Sequence, residues 1–562
     1  MNQFALLHIA DSKYCYAMTK DEIVIRLRTS KEDDLKVVLI YGPKYEFQNK
    51  RYETSMEIKY EDKLYRYYEK KLKLSDLRLA YIFEIYENNK KYYFCEDGVV
   101  LDYDFENAFY NFYQMPYINE ADRVKSVDWM QGAVFYQIFI DRFNMGNEKK
   151  DKSYIDMKWG DKPTPKNFAG GDLRGIIDKL DYLENLGITA IYLTPIFLSS
   201  SNHKYDIVDY KKIDPMFGNI NDLKELVKKA HEKKIRIVLD AVFNHCSMNI
   251  SQFQDVMENG KKSKYYDWFL IDGDYPDPKK GNYECFASCT YMPKFNTSNL
   301  QVQDFLLDIA VYWIRECDID GWRLDVSDEV SHDFWRQFRK KVKAEKSECV
   351  IIGENWHDAY AYLKGDQYDS IMNYAFTKAC LDYFAKDKLD AKGVANKLNE
   401  ILTRNNSIIN SMMLNLIDSH DTLRFFTEVK CNKKKQLCAL ALEAFFPGAV
   451  CVYYGTEICM EGGYDPDSRR CFDWNDKNWD KKFLKEFKKI MQLKKNEIIR
   501  LGTVKIYEKN SLLIVERAYK NQTMSLEINM NEQVINGVEP FNYRVLRKGD
   551  NNEKKVSCNY AC

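Results

Sequence analysis

IDGWRLDVSDEV, Ile319 to Val330, sets an arginine and an aspartate two residues apart at the end of a short apolar run. On a strand, Arg323 and Asp325 share one face. A guanidinium so placed holds the carboxylate ionised, the state required of a nucleophile or a metal ligand. A buried ion pair with no chemistry reads equally well from this stretch alone. The neighbouring strands have to separate the two readings.

Outward from this stretch, from about residue 133, short apolar runs alternate with longer amphipathic ones. The runs predict strands at Val134 to Ile140, Ile188 to Leu193, Ile235 to Leu239, Ile319 to Leu324, Val350 to Gly353, Ser370 to Met372, Met412 to Ile417 and Val450 to Tyr453. Helices are predicted between them, among them Leu173 to Leu186, Asn221 to Lys233, Val302 to Glu316, Asp333 to Ala344 and Lys433 to Phe446. Eight strand-then-helix units in one direction predict an α/β fold, a (β/α)8 TIM barrel. Ser370 to Met372 carries the weakest strand signal. The connection after the third strand is oversized, and its Asp, Gly, Pro and Tyr content predicts an inserted subdomain, residues 246–299, over the barrel mouth. Residues 1–121 carry short alternating runs instead, at Ile23 to Arg28, Leu35 to Tyr41, Met56 to Tyr60, Tyr65 to Leu72 and Leu79 to Tyr86, which predict an N-terminal β-sandwich. Runs from Val504 to Lys548 predict a small C-terminal β domain over 501–562, leaving 122–500 to the barrel.

In such a barrel, functional groups gather at the C-terminal ends of the strands. Strand three ends LDAVFNH, with Asp240, Asn244 and His245; strand four ends RLD, with Arg323 and Asp325. Strand five ends IIGENWH, with Glu354, and strand seven ends LIDSHD, with His420 and Asp421. Any one of these is explained by a capped turn or a satisfied core polar group. Four acidic strand ends and two histidines at one mouth are much harder to explain that way. Paired carboxylates around one bond are the equipment of glycoside hydrolysis. On that reading Asp325, kept ionised by Arg323, attacks an anomeric carbon, Glu354 protonates the departing oxygen and Asp421 holds sugar hydroxyls. The competing reading is a metal centre built from His245, His420 and the acids. It lacks HExxH or any comparable ligand spacing, and Arg323 would oppose a cation.

Composition narrows the partners. Lys plus Arg (84) nearly balance Asp plus Glu (85), so no basic field points to nucleic acid, and a neutral small molecule matches better. The 15 cysteines are odd in number and scattered without a CxxC pair, which predicts reduced thiols in a cytoplasmic protein. MNQFALLHIADSKY, Met1 to Tyr14, lacks a cationic start and a long apolar core, so no export signal is expected. No apolar run reaches the roughly 18 to 20 residues of a membrane span.

DAVFNH (Asp240 to His245), GWRLDV (Gly321 to Val326), GENWH (Gly353 to His357) and LIDSHDTLR (Leu416 to Arg424) resemble, in order and spacing, the four motifs of the α-amylase family, glycoside hydrolase family 13. The likeness extends to YQIFIDRF (Tyr136 to Phe143), GGDLRGI (Gly170 to Ile176), NHKYDIVDY (Asn202 to Tyr210) and YYGTEICMEGGYDPDSRR (Tyr453 to Arg470), covering roughly residues 125–475. MPKFN (Met292 to Asn296) is similar to the motif marking the neopullulanase, cyclomaltodextrinase and maltogenic amylase branch. An N-terminal β module is a second trait of that branch.

The resemblance implies a retaining α-glucan hydrolase acting on α-1,4, and in part α-1,6, bonds of cyclodextrins, pullulan or maltooligosaccharides, with some transglycosylation. It assigns Asp325 as nucleophile, Glu354 as general acid/base and Asp421 as transition-state stabiliser. Arg323 would orient Asp325, Asp240 would position Arg323, and His245 and His420 would bond hydroxyls of the reacting sugar. Tyr205 would stack under that sugar, His203 and Arg424 would add support, and Trp356 would line the leaving-group side. The two principal carboxyls are then expected about 5 to 5.5 Å apart, with retention of the α configuration. Phe295, Asn355, Ser327, Asp328 and Thr456 depart from the motifs, which leaves the balance of cleavage and transfer open. The alternatives are an oligo-1,6-glucosidase or α-glucosidase, which usually lacks the β module, and a non-catalytic glucan-binding relative, which typically loses catalytic acids that this chain keeps. A homodimer paired through the N-terminal module is implied by the same branch. No cofactor is required for the chemistry. Many relatives hold a structural calcium near the end of strand one and at the GGD turn. Asn147, Asp151, Gly170 and Asp172 match part of that site, whereas Met145 and Lys150 are wrong for oxygen ligation, so a weakened or absent site is expected.

Overall fold

The computed structural model describes residues 1–549 and 552–556; of the segment 501–562 expected to form the last domain, 550, 551 and 557–562 lie outside the described residues. At the N-terminus a four-stranded antiparallel sheet is centred on Glu22–Ser30 and Tyr65–Lys73, and a six-stranded one on Leu35–Pro43 and Leu79–Glu87. Alternate residues of the two, Ile23, Ile25 and Leu27 against Val37, Leu39, Tyr81, Phe83 and Ile85, meet in one buried core. That is the period-two burial of a sandwich.

Eight parallel strands follow: β1 (Val134–Ile138), β2 (Ala190–Leu193), β3 (Arg236–Ala241), β4 (Gly321–Leu324), β5 (Val350–Gly353), β6 (Ser370–Ile371), β7 (Leu414–Leu416) and β8 (Ala449–Tyr453). Nearly every residue in them is buried, as parallel strands covered on both faces require. They run in the order β6-β5-β4-β3-β2-β1-β8-β7, and a parallel bridge between Met372 and Leu414 joins the two ends into a barrel. Close packing between strands fixes Gly321 at the head of β4. A Cβ there would lie 2.4 Å from Val350 Cγ1.

The helices Ile220–Glu232, Leu300–Cys317, His332–Glu345 and Lys433–Phe445 sit where apolar periodicity predicts them. The stretch expected as one helix from Leu173 to Leu186 is two, Leu173–Ile177 and Leu180–Leu186. The fifth unit departs from the eightfold pattern, because only the short turn Tyr360–Tyr362 separates β5 from β6. After β6 the chain makes the helices Tyr374–Cys380, continued by a π turn Leu381–Ala385, Ala391–Thr403 and the short Ser407–Asn410. An antiparallel ribbon, Phe197–Ser199 with Ile207–Ile213, carries the NHKYD loop and was not apparent from the sequence pattern.

In the long connection after β3, Phe253, Phe269, Tyr283 and Phe295 pack on one another and join the barrel core. A bridge from His245 to Lys294 ties it to the mouth of the barrel, and one from Phe269 to Phe295 closes it internally. From Thr503 onward the described residues form a sheet of five antiparallel strands. Among the described residues, no helix is long and apolar enough to cross a membrane.

Candidate active site

Strand register assembles the site. Asp240 on β3 pairs directly with Arg323 on β4, and Leu324 pairs with Gly353 on β5. The ladder continues one residue past the strand ends: Asp325 N–H donates to Ala241 O (3.1 Å) and Glu354 N–H to Leu324 O (2.9 Å). Three neighbouring strands therefore deliver Asp240, Asp325 and Glu354 to one spot at the C-terminal mouth.

One guanidinium serves all three acids. Arg323 Nη1 donates to Asp240 Oδ2 (3.0 Å) and Oδ1 (3.2 Å) and to Asp325 Oδ1 (2.8 Å), while Nη2 lies 2.9 Å from Glu354 Oε2. Glu354 also accepts from Val326 N–H at Oε2 (3.0 Å) and from Trp356 Nε1 at Oε1 (3.1 Å). Val326 reaches this position in a left-handed conformation, φ 45°, costly for a β-branched residue by roughly 1–3 kcal/mol. Ser327 braces the turn, donating its hydroxyl to Glu354 O (2.6 Å), whereas Asp328 faces solvent.

Arg323 favours the ionised form of Asp325, and burial works against it. Burial pushes the Asp325 carboxyl well above the usual carboxylate range, with Arg323 pulling it back and the neighbouring acids adding to the rise. Burial likewise lifts Asp240 to about 6 against the pull of Arg323. Three carboxylates facing one cation at close quarters leave an excess of negative charge that a retained proton relieves.

The imidazoles are neutral. Burial lowers His245 to about 3 and His203 to about 4, and carries His420 well below its usual value. Gln137 Nε2 donates to His420 Nδ1 (2.6 Å), so the ring proton sits on Nε2, which faces Tyr205 Oη (2.6 Å) and Asp421 Oδ2 (3.2 Å). Tyr205 in turn donates to Asp240 Oδ2 (3.2 Å), closing a chain from Asp421 to Arg323. His245 lies on the ring of Phe286, and its buried Nε2 has no hydrogen-bond partner 4.0 Å from Asp325 Oδ2. A buried donor aimed into the site without a partner is what a bound hydroxyl would satisfy. His203 supports Tyr205 from behind, accepting its N–H at Nδ1 (3.1 Å). Trp356 is 46 % exposed and stacks face to face on Tyr374 at 3.7 Å, an apolar platform beside Glu354. From it a cavity of about 540 Å³ runs toward Lys13, Tyr14 and Arg28 of the sandwich.

Arg424 is corrected. It is fully buried, donates Nε to Ser468 O (2.9 Å) and Nη1 to Tyr454 O, and lies over the rings of Tyr453 and Tyr454. It braces the loop after β8 rather than touching the site. The arginine that does reach the site, Arg469, went unnoticed: its Nε donates to His420 O (3.0 Å) and its Nη2 contacts Asp421 Oδ1 (3.4 Å). Tyr192, donating to Asp240 Oδ2 (2.6 Å), was also missed, as was Gln137. DSRR follows the YYG run at loop spacing, the one clue to Arg469 in the sequence.

The residues matched to a calcium site do not converge on a cation. Asn147 Oδ1 accepts from Lys149 N–H (3.1 Å), and the exposed Asp151 accepts from Ser153 N–H (2.9 Å). Asn147 meets Asp172 through its backbone N–H (3.1 Å), and the Lys150 ammonium lies between Gly170 O and the Asp172 carboxylate. Among the described residues, no group of three or more His, Cys, Asp or Glu could hold a metal ion.

Residues 137–501 match the family model described as the alpha amylase catalytic domain, and residues 1–119 the alpha amylase N-terminal ig-like domain. A cyclomaltodextrinase of Thermoanaerobacter pseudethanolicus is 42% identical, covering 93% of this chain and 92% of its own length. Neopullulanase 2 of Thermoactinomyces vulgaris is 38% identical, over 87% of this chain and 84% of its own. A solved cyclomaltodextrinase structure superposes with a TM-score of 0.91 at 37% identity, covering 95% of this chain and 92% of that one.

Proposed function

We propose that this chain, which belongs to the α-amylase family, is a retaining glycoside hydrolase that opens α-1,4 bonds, and some α-1,6 bonds, in cyclodextrins, pullulan and short maltooligosaccharides. The observation that carries the reading is the shared guanidinium. Asp325 touches Arg323 Nη1 and Glu354 lies against Nη2, so both carboxyls sit within one side chain's span. Such closeness favours the short separation, about 5 to 5.5 Å, of a retaining pair over the wider gap of an inverting one.

In the reaction, Asp325 attacks C1 of the sugar while Glu354 gives its proton to the departing glycosidic oxygen. Glu354, now ionised, takes a proton from water as that water displaces Asp325 from C1. A second sugar hydroxyl in place of water gives transfer instead of hydrolysis. Asp421, with the neutral His420 and His245, holds hydroxyls of the reacting sugar, and the Trp356–Tyr374 platform takes an apolar sugar face of the departing part. The names of the cyclomaltodextrinase and neopullulanase relatives support these substrates. Incubation with β-cyclodextrin, pullulan and soluble starch tests the reading. Faster turnover of the first two is expected, and a marked preference for starch would refute the substrate class. No cofactor enters the chemistry.

We further propose a cytoplasmic homodimer paired through the sandwich. All thirteen described cysteines are free thiols, in keeping with a reducing compartment. The sandwich exposes Phe4, Tyr45, Leu101, Phe109 and Tyr110, apolar surface that a second subunit would cover. A monomer mass by light scattering at working concentration would contradict the assembly.

A further inference from the structure

The Lys150 side chain is only 6% exposed, although it is a lysine in a loop. Its Nζ donates to Gly170 O (2.6 Å) and Met216 O (2.9 Å) and lies 3.0 Å from Asp172 Oδ2. These three oxygens come from two segments: the GGD turn, which ends at Asp172 as the cap of the helix Leu173–Ile177, and the loop after Ile207–Ile213. Two carbonyls and a carboxylate are the donor chemistry of a hard divalent cation. They face an ammonium instead.

The surroundings leave little else for a divalent ion. Asp172 accepts the N–H groups of Gly146 (3.0 Å), Asn147 (3.1 Å) and Gly175 (2.7 Å). Asp141 accepts those of Ala169 (2.9 Å) and Gly170 (3.0 Å) and pairs with Arg142 at 2.8 Å. Gly146 has no room for a liganding side chain, since a Cβ there would lie 2.5 Å from Gly175 N. A single positive charge balances the single carboxylate Asp172, whereas a divalent ion would remain undercompensated.

We infer that the Lys150 ammonium is a tethered cation standing where a structural divalent ion would otherwise join these segments, so that the stability of this chain is independent of calcium. The tie matters to the site beyond it. Met216 contributes its carbonyl to Lys150 and its sulfur to Lys204 Nζ (3.4 Å); Lys204 is fully buried, pairs with Asp214 at 2.9 Å, and immediately precedes Tyr205. The tethered cation thus props the loop that carries His203 and Tyr205.

The test is metal content and melting of the full chain. After dialysis against chelator and then against calcium chloride and buffer, atomic spectroscopy of the wild type is expected to find no calcium above background. Its Tm is expected to be the same in EDTA and in millimolar calcium. Lys150→Met keeps the length and packing of the side chain without its charge and is expected to melt several degrees lower, as is Lys150→Ala. Near-stoichiometric calcium that raises the wild-type Tm would overturn the inference, and so would a wild-type Tm in Lys150→Met. Should neither variant fold, the wild-type metal content and its response to chelator decide alone.

Discussion

Replacing Asp240 by asparagine should make the protein more stable at neutral pH while impairing catalysis. Asp240 is fully buried, and its carboxyl is lifted from 3.8 to about 6 by that burial, net of the help it receives from Arg323 and Tyr192. At about 1.36 kcal/mol for each tenfold change, the ionised side chain costs the folded state roughly 3 kcal/mol above pH 6. The sign follows from proton binding. Below about pH 4 folded and unfolded chains both hold the proton and the cost is absent; from 4 to about 6 the unfolded chain releases it first and stability is lost; above 6 the full cost applies. Asparagine mimics the protonated form at every pH, but its amide cannot accept from Arg323, Tyr192 and Tyr205 together, which offsets the gain by about 1 kcal/mol. The net expectation is about 2 kcal/mol, or roughly 2 to 5 °C in Tm for a domain of this size. His203 and His245, held neutral by burial, act with the opposite sign, losing stability as pH falls below about 6.5. The wild-type profile therefore mixes both effects. The readout is the difference in apparent Tm between Asp240→Asn and wild type from pH 4 to 8. It should rise through pH 4 to 6 and then level, with kcat on β-cyclodextrin reduced because Arg323 loses the partner that aims it. A difference that is flat, or grows more negative as pH rises, would refute the reasoning.

Asp325→Asn should retain the native circular dichroism spectrum and lose at least about 10³-fold in kcat, as removal of a covalent nucleophile does; turnover near the wild-type rate would exclude it from that role. Arg469→Ala should lower kcat/KM on β-cyclodextrin by roughly 10- to 100-fold, the worth of one or two charge-assisted hydrogen bonds to the Asp421 loop, and Arg469→Lys should restore part of it. An unchanged kcat/KM in the alanine variant would mean that Asp421 is held by other contacts. Trp356→Ala should raise KM roughly 10-fold through loss of the exposed stacking face, with Tm within a degree or so because the ring is half exposed; a fall in kcat at constant KM would place the ring with the reacting sugar instead.

Legibility in the sequence followed the geometry of strands. A parallel strand buried on both faces prints as a run of apolar residues, so the eight runs and the polar groups ending them could be read off directly, and Asp240, Asp325, Glu354 and Asp421 came together because each sits at such an end. β6 was faint because it has only two residues and hands the closing contact to Met372 outside it. What could not be read is where a long side chain turns. Arg424 and Arg469 both lie in polar loops near His420 in space, and nothing in the local pattern tells an arginine that caps Tyr454 O from one that reaches Asp421. Charge balance was hidden for a related reason. Arg323 beside Asp325 reads as a neutral pair along the strand, yet the fold brings Asp240 and Glu354 to the same guanidinium. The sum exists only across three strands, and it adds to the burial that raises the Asp325 carboxyl against the pull of Arg323. Burying Asp240 and Asp325 beside one arginine lifts both carboxyls, at a cost in stability that Asp240→Asn should expose.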